Sequence, residues 1–139
     1  MELMEAIRGR RSVREYTKTP LDRGELEAVL DAAVQAPSAM NRQPWAFVVI
    51  EDQALLKRYS DSIKPLVLAS LAGSPLPPEF AKTLADPAYH IFHGAPALIV
   101  IFARSVAEFA TIDCCLAGQD LMLAAYGQGL GSCWIGLAA

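Results

Sequence analysis

Residues 8–16 read Arg-Gly-Arg-Arg-Ser-Val-Arg-Glu-Tyr, four arginines within seven positions of a chain whose formal net charge is −3. Gly9 favours a break in any helix that reaches it. An extended run then puts Arg10, Ser12 and Arg14 on one side, with Arg11 and Val13 on the other. Two guanidiniums flanking a hydroxyl make a cradle for a phosphate, because arginine forks bind phosphate oxygens bidentately and serine adds one donor. Taken alone, the segment also reads as a solvated basic turn paired with Glu2, Glu5 and Glu15, the commoner use of exposed arginines.

Two further stretches carry polar groups in unusual company. Residues 36–45, APSAMNRQPW, hold Ser38, Asn41 and Gln43 between two stiffening prolines, Pro37 and Pro44. The stretch joins a helix to a strand, where α/β folds place ligand groups, although turn chemistry alone accounts for Pro, Ser and Asn. Residues 129–136, GLGSCWIG, hold glycines at 129, 131 and 136. They would let backbone N–H groups approach a flat ligand, or they mark a helix C-cap and a turn. Neither a GxGxxG before a helix nor a P-loop is present.

The elements that must position these residues follow from periodicity. Leu3, Met4 and Ile7 share one face of a short first helix. Asp22 with Glu25 forms a capping box and Leu21 with Leu26 a hydrophobic staple, opening a second helix through Leu26, Val29, Leu30, Ala33 and Val34 until Pro37 forbids continuation. Phe47–Ile50 reads as a strand buried on both faces. Asp52 caps a third helix carrying Leu55, Leu56 and Tyr59; residues 61–72 form another helix with Pro65 near its first turn. Gly73 to Pro87 holds four prolines and reads as a loop with one helical turn at most. Leu98–Phe102 is a second buried strand, Thr111–Gln128 a helix apolar around most of its circumference, and Cys133–Ile135 a third strand. A helix so apolar belongs at the centre of the structure or at a subunit interface.

Length bounds the chain to one domain, residues 1–139, without repeats or linkers. Hydrophobic residues make up 53% and charged residues 19%, so apolar surface is expected to be buried against a second subunit or a ligand as well as internally. The longest apolar run, Ala95–Ala103, is half the length of a bilayer span, and no secretory signal opens the chain. Three cysteines, Cys114, Cys115 and Cys133, have no metal-ligand spacing and an odd count, which points to reduced thiols in the core of a cytoplasmic protein. Binding of nucleic acid through the arginines would need a second basic patch and stacking aromatics. The remaining cations are scattered and the balance is acidic. No Lys or Arg follows Arg104, and the sequence stops within an apolar stretch, so a C-terminal part is expected to be missing.

The three stretches, in this order, resemble the FMN-dependent nitroreductase family. RRSVREY at 10–16, APSAMNRQPWAFVVI at 36–50, HGAPALIVIF at 93–102 and the run from Asp113 to Gly136 carry the resemblance, which covers essentially the whole chain. It implies an α+β fold, a nitroreductase-like α-β-α sandwich with a mainly antiparallel central sheet, forming an intertwined homodimer with FMN at the subunit interface. Carried over by motif, Arg10, Arg11 and Ser12 would hold the FMN phosphate and ribityl end, and Arg14 would lie at the ring edge that becomes anionic on reduction. From the other subunit, Pro37, Ser38 and Asn41 would contact ribityl hydroxyls and ring, with Gln43 as support. Backbone groups of Ile135 and Gly136 would meet the flavin near N5 and O4.

The activity so implied is an NAD(P)H-dependent flavin oxidoreductase that reduces nitroaromatics, quinones or related small electron acceptors by a ping-pong mechanism. The flavin carries the chemistry, so no catalytic side chain is expected and no metal; His90, His93, Cys114, Cys115 and Asp113 keep structural roles. Related chemistry, such as flavin-ring fragmentation or reductive dehalogenation, would be decided by residues 61–92. The family normally continues with a C-terminal strand that pairs with the partner subunit and a further cation for the phosphate. A chain lacking both would be, in the alternative reading, a flavin-binding protein with little or no turnover.

Overall fold

The computed structural model of the chain describes residues 2–70, 78–104 and 106–137. In chain order the elements are α1 (Leu3–Gly9), α2 (Arg23–Ala33), a 3-10 turn (Ala39–Asn41), β1 (Trp45–Ile50), α3 (Gln53–Ser70), α4 (Pro78–Ala85), β2 (Leu98–Ala103) and α5 (Ala110–Gly127). Strands β1 and β2 pair antiparallel, from Trp45 opposite Ala103 to Ile50 opposite Leu98.

Strand alternation divides the interior into two cores. On one face Trp45, Phe47 and Ile101 pack with Ala33 and Ala36 at the end of α2 and with Cys114, Ala117 and Leu121 of α5. On the other, Ile50 and Leu98 pack with Leu56 and Ile63 of α3, Phe80 and Leu84 of α4, and Ile91 and Phe92 of the turn before β2. Helices therefore pack on both faces of the two-stranded sheet, the expected sandwich, although the strands are not buried throughout: Val48 and Phe102 stay 46% and 51% exposed on the second face.

The α2 start follows its sequence signature. The Asp22 carboxylate accepts the Gly24 N–H at 2.7 Å, and the Glu25 carboxylate accepts the Asp22 N–H at 2.8 Å. This satisfies donors that a helix N-terminus leaves orphaned. Asp52 likewise caps α3 through the N–H groups of Ala54 and Leu55.

Four expectations need correction. The two helices expected after Asp52 are one, running through Pro65 to Ser70. Leu56, Ser60 and Lys64, one turn apart, form a continuous buried stripe across the junction, and that tertiary anchoring outweighs the one backbone bond a proline forfeits. Part of the proline-rich stretch is the helix α4, with Pro78 at its first position, where a missing N–H costs nothing; residues 71–77 lie outside the described residues. Cys133–Ile135 forms no strand. The preceding residue, Ser132, makes an isolated parallel bridge with Ser12, and Trp134 closes over Gly118. Of the three thiols only Cys114 is buried; burial, then Cys115 and Asp113, push it up.

Lys64 is buried without being unpaired. Its Nζ donates to the carbonyls of Tyr89 at 2.7 Å and Asp86 at 3.3 Å, and it lies 3.1 Å from Asp61 Oδ1. The buried Ser60 Oγ accepts the Ile91 N–H at 3.0 Å. Together they hold the turn 86–94 against α3.

Candidate functional site

The arginine segment leaves α1 at Arg10 and runs extended. Val13 donates its N–H to the Ser132 carbonyl at 3.0 Å. Gly131 is what lets the two backbones meet: a Cβ there would sit 2.9 Å from a Val13 methyl. Gly129, at φ +80°, turns the chain out of α5, with the Gly129 N–H donated to Tyr126 and the Leu130 N–H to Ala125. That is the double bond of a helix C-cap with a left-handed residue. The C-cap reading of the glycine stretch thus holds, and the stretch also brings Gly131 and Ser132 against Ser12 and Val13.

Val13 faces Gly131, as alternation requires, while Ser12 and Arg14 are exposed and Arg10 is half-buried. Arg11 turns back, its Nη1 donating to the carbonyls of Arg8 and Arg10 at 2.8 and 2.9 Å. It closes the C-terminus of α1, a common use of a basic residue there. Tyr16 donates its hydroxyl to the Val13 carbonyl at 2.7 Å. Burial, then the neighbouring Cys133, push its pKa up to about 12, with Arg14 opposing. Partial burial, then the Arg14 guanidinium, hold His93 below the usual imidazole range. Ser132 Oγ, across the bridge from Ser12, is buried with no partner among the described residues. A buried hydroxyl without a partner, on the residue that bridges the arginine segment, leaves a polar group there open to one more hydrogen bond, as a polar ligand would supply.

The second stretch is a compact turn in which Met40, Asn41 and Gln43 all have positive φ, between 48° and 55°. Left-handed geometry costs a non-glycine residue about 1–2 kcal/mol, so the turn must be held. Ser38 Oγ accepts the Gln43 N–H at 3.0 Å, and the Ser38 carbonyl accepts the Asn41 N–H at 2.9 Å. The Asp113 carboxylate, buried in the first turn of α5, accepts the Ala39 N–H at 3.1 Å. Asn41, Gln43 and Pro37 are exposed. Asp113 has the structural role expected of it, as the anchor of this turn; its partner Ala39 lies 74 residues away and carries no local signal in the sequence. Ile135 packs into the α3–α4 core while Gly136 is exposed, with nothing among the described residues within 4 Å of the space its Cβ would fill.

One chain does not bring all these residues together. The arginine segment meets the C-terminal end of α5, where Gly9 lies against Tyr126. The 38–43 turn is tied to the N-terminal end, at Asp113. Thirteen residues of helix separate these anchors, about 20 Å at 1.5 Å per residue. Beside the Asp113 anchor, Ile112 and Leu116 are 55% and 40% exposed, an apolar stripe on the central helix left uncovered among the described residues. Leu3, Met4 and Ile7 of α1 are exposed as well. Among the described residues no group of His, Cys, Asp and Glu is placed to hold a metal ion, and no helix is long and apolar enough to cross a membrane.

Residues 7–139 match the model of the nitroreductase family. A candidate NADH dehydrogenase/NAD(P)H nitroreductase of Methanothermobacter thermautotrophicus is 30% identical over 99% of this chain and 62% of its own length. One of the same description from Archaeoglobus fulgidus is 32% identical over 98% of this chain and 68% of its own. The chain thus spans about two thirds of the curated relatives it matches. Among solved structures, a nitroreductase from Bacteroides fragilis with bound FMN superposes with a TM-score of 0.85 at 28% identity, over 99% of this chain and 71% of that one.

Proposed function

The chain belongs to the nitroreductase family, and on that premise we propose that it is an FMN-dependent, NAD(P)H-consuming oxidoreductase acting on small electron acceptors such as quinones or nitroaromatics. The observation that carries this reading is the pinning of the arginine segment to the 131–136 backbone. The Val13–Ser132 bond sets Arg10, Ser12 and Arg14 at the foot of a glycine-containing stretch whose Gly136 is uncovered. Phosphate recognition at one end and open backbone at the other suit a long ligand with an anionic tail and a flat head.

In this account Arg10, Arg11 and Ser12 bind the phosphate and ribityl end. Arg11 has Nε and Nη2 for this while Nη1 holds the helix end. Arg14 lies at the ring edge, where a fixed guanidinium favours the charge that reduction adds. Ile135, anchored through its side chain, and Gly136 offer backbone groups to the ring. Ser38 accepts the Gln43 N–H, so its own hydroxyl proton remains available to a ligand, and Gln43 supports the turn through its backbone. The chemistry supplied by bound FMN is two-electron transfer from NAD(P)H to an acceptor in two separate half-reactions. The side chains bind and orient; none needs to act as nucleophile or proton donor.

The distance along α5 supports a homodimer in which Pro37, Ser38, Asn41 and Gln43 of one subunit complete the site of the other. Ile112, Leu116 and the α1 residues supply apolar surface for that contact.

The visible absorption spectrum of the purified protein tests the cofactor, with the released chromophore identified after denaturation. A flavin spectrum yielding FMN is expected. A colourless protein that takes up no added FMN would remove the cofactor and the activity with it. Oxidation of NAD(P)H with a quinone then separates an enzyme from a flavin-binding protein without turnover.

A further inference from the structure

Just beyond the paired ends of β1 and β2, the Arg104 N–H donates to the Pro44 carbonyl at 2.6 Å. The bond extends the ladder one step past Trp45 and Ala103 and brings the chain after β2 against the end of the 38–43 turn. Two adjoining hollows open at this junction. One, of about 280 Å³, has walls that are mostly apolar, Ala39, Met40, Pro44 and Phe109 among them, with the acidic residues Glu108 and Asp113 also on its lining. The other, of about 440 Å³, is a shallow basin lined by Arg42, Gln43, Pro44, Arg104 and Ala107, with no carboxylate. Arg42, Pro44 and Ala107 line both.

Both arginines are exposed. Among the described residues neither lies within 4 Å of a carboxylate, whereas Arg23, Lys57, Lys64 and Lys82 do. Among the described residues the one hydrogen bond of the Arg42 side chain is a long one, from Nη2 to the Met40 sulfur at 3.9 Å. Two guanidiniums on a basin whose own lining has no carboxylate suit an anion, and the apolar walls of the adjoining hollow suit a flat or apolar body; Glu108 and Asp113 on that hollow confine the anion to the arginine side.

We propose that this basin is an anion subsite for the substrates, in which Arg42 and Arg104 hold the phosphate or carboxylate of a ligand whose apolar part lies against Met40 and Phe109. The inference rests on the reading above, because the turn that carries Arg42 is the one assigned to the partner subunit's flavin. The anion has two sources: the diphosphate of the nicotinamide dinucleotide, or a carboxylate on the electron acceptor. Ping-pong kinetics separate them, since each half-reaction has its own KM.

The test uses the FMN-loaded full chain with Arg42→Ala and Arg104→Ala, both at exposed positions. Calorimetry with inorganic pyrophosphate is read beside KM for NADH and NADPH, and KM for 4-nitrobenzoate against 4-nitrobenzamide. Each substitution is expected to weaken pyrophosphate binding about tenfold or more, as loss of a charged hydrogen-bond partner does. KM should rise similarly for the anionic substrate, with kcat and the neutral nitrobenzamide little changed. A rise for the dinucleotides alone assigns the site to the donor, and a rise for nitrobenzoate alone assigns it to the acceptor. Unchanged pyrophosphate affinity in both variants would overturn the site. Weakened pyrophosphate binding with every KM unchanged would overturn its place in the substrate path. A wild-type protein without FMN or NAD(P)H oxidation would instead sink the proposed function, and pyrophosphate binding would still decide whether Arg42 and Arg104 form an anion site.

Discussion

The buried carboxylate of Asp113 accepts the backbone N–H of Ala39 at 3.1 Å, across 74 residues of sequence. It ties a turn with three left-handed non-glycine residues to the central helix. Asp113→Ala is expected to destabilise the fold by about 1–3 kcal/mol, the usual effect of leaving a part-buried donor unpaired. It should also weaken FMN binding by releasing Ser38 and Asn41. Asp113→Asn, which keeps an acceptor oxygen, should cost less on both counts. Urea denaturation with flavin fluorescence titration checks this; equal losses for the two variants would count against the anchoring role.

Gly131 and Val13 offer a paired test. Gly131→Val puts side-chain atoms where the Val13 methyls already lie, so about 1–3 kcal/mol of overpacking is expected. FMN affinity should drop as the arginine segment is pushed off. Adding Val13→Ala frees the space and should restore much of the affinity. A double-mutant cycle without coupling would show that the two backbones do not depend on each other.

Lys64 holds the 86–94 turn through two carbonyls. Lys64→Met keeps the packing and removes the donors, and is expected to cost about 2–4 kcal/mol, since buried acceptors are left unpaired. Asp61→Asn should cost clearly less than Lys64→Met, because Asp61 is an exposed partner. Urea midpoints compare the two, and limited proteolysis within 86–92 should quicken in the Lys64 variant. A Lys64 variant as stable as wild type would refute the clamp.

The pH dependence of stability has a predicted sign at each end. Tyr16 is raised from 10.0 to about 12 in the folded chain, so the folded state keeps its proton where the unfolded state has lost it. That stabilising difference is intact below pH 10 and lost as pH rises through about 12. Tyr16→Phe should flatten the alkaline decline. His90 and His93 are both depressed below 6.5, each mainly by burial. Their contribution is present above pH 6.5 and fades as pH falls, and His93→Gln should lessen the acid decline. Denaturation midpoints measured from pH 5 to 11 check both; slopes that the variants do not alter would dissociate these groups from it.

Local chemistry made much of this legible from sequence. The Asp22–Glu25 box formed as read, and the β-branched runs at 47–50 and 98–102 paired. The apolar circumference of α5 marked it as central. What escaped the reading depended on distant partners. Pro65 stays helical because Ser60 and Lys64 grip the 86–91 turn, which no local pattern reveals. Cys133–Ile135 has the composition of a strand, yet Trp134 seats on Gly118 and the preceding residue, Ser132, makes an isolated bridge in place of a ladder. Asp113 could not be paired with Ala39 before the fold placed the 38–43 turn at the α5 N-terminus. Types and alternation suggest an arginine cradle, which remains part of the proposed function, whereas the role of Arg11 at the α1 end comes only with the geometry.

The central claim is a flavin site built from the arginine segment of one subunit and the 38–43 turn of the other. Its most direct measurement is FMN retention in mixed dimers, co-expressed from Arg10→Ala/Arg14→Ala and Ser38→Ala/Asn41→Ala chains with different tags. Each parent alone should lose most of its flavin. The purified mixed dimer contains one site with both halves intact and one with both damaged, so it should recover about half of the wild-type FMN content. A mixed dimer as poor in flavin as its parents would contradict the shared site.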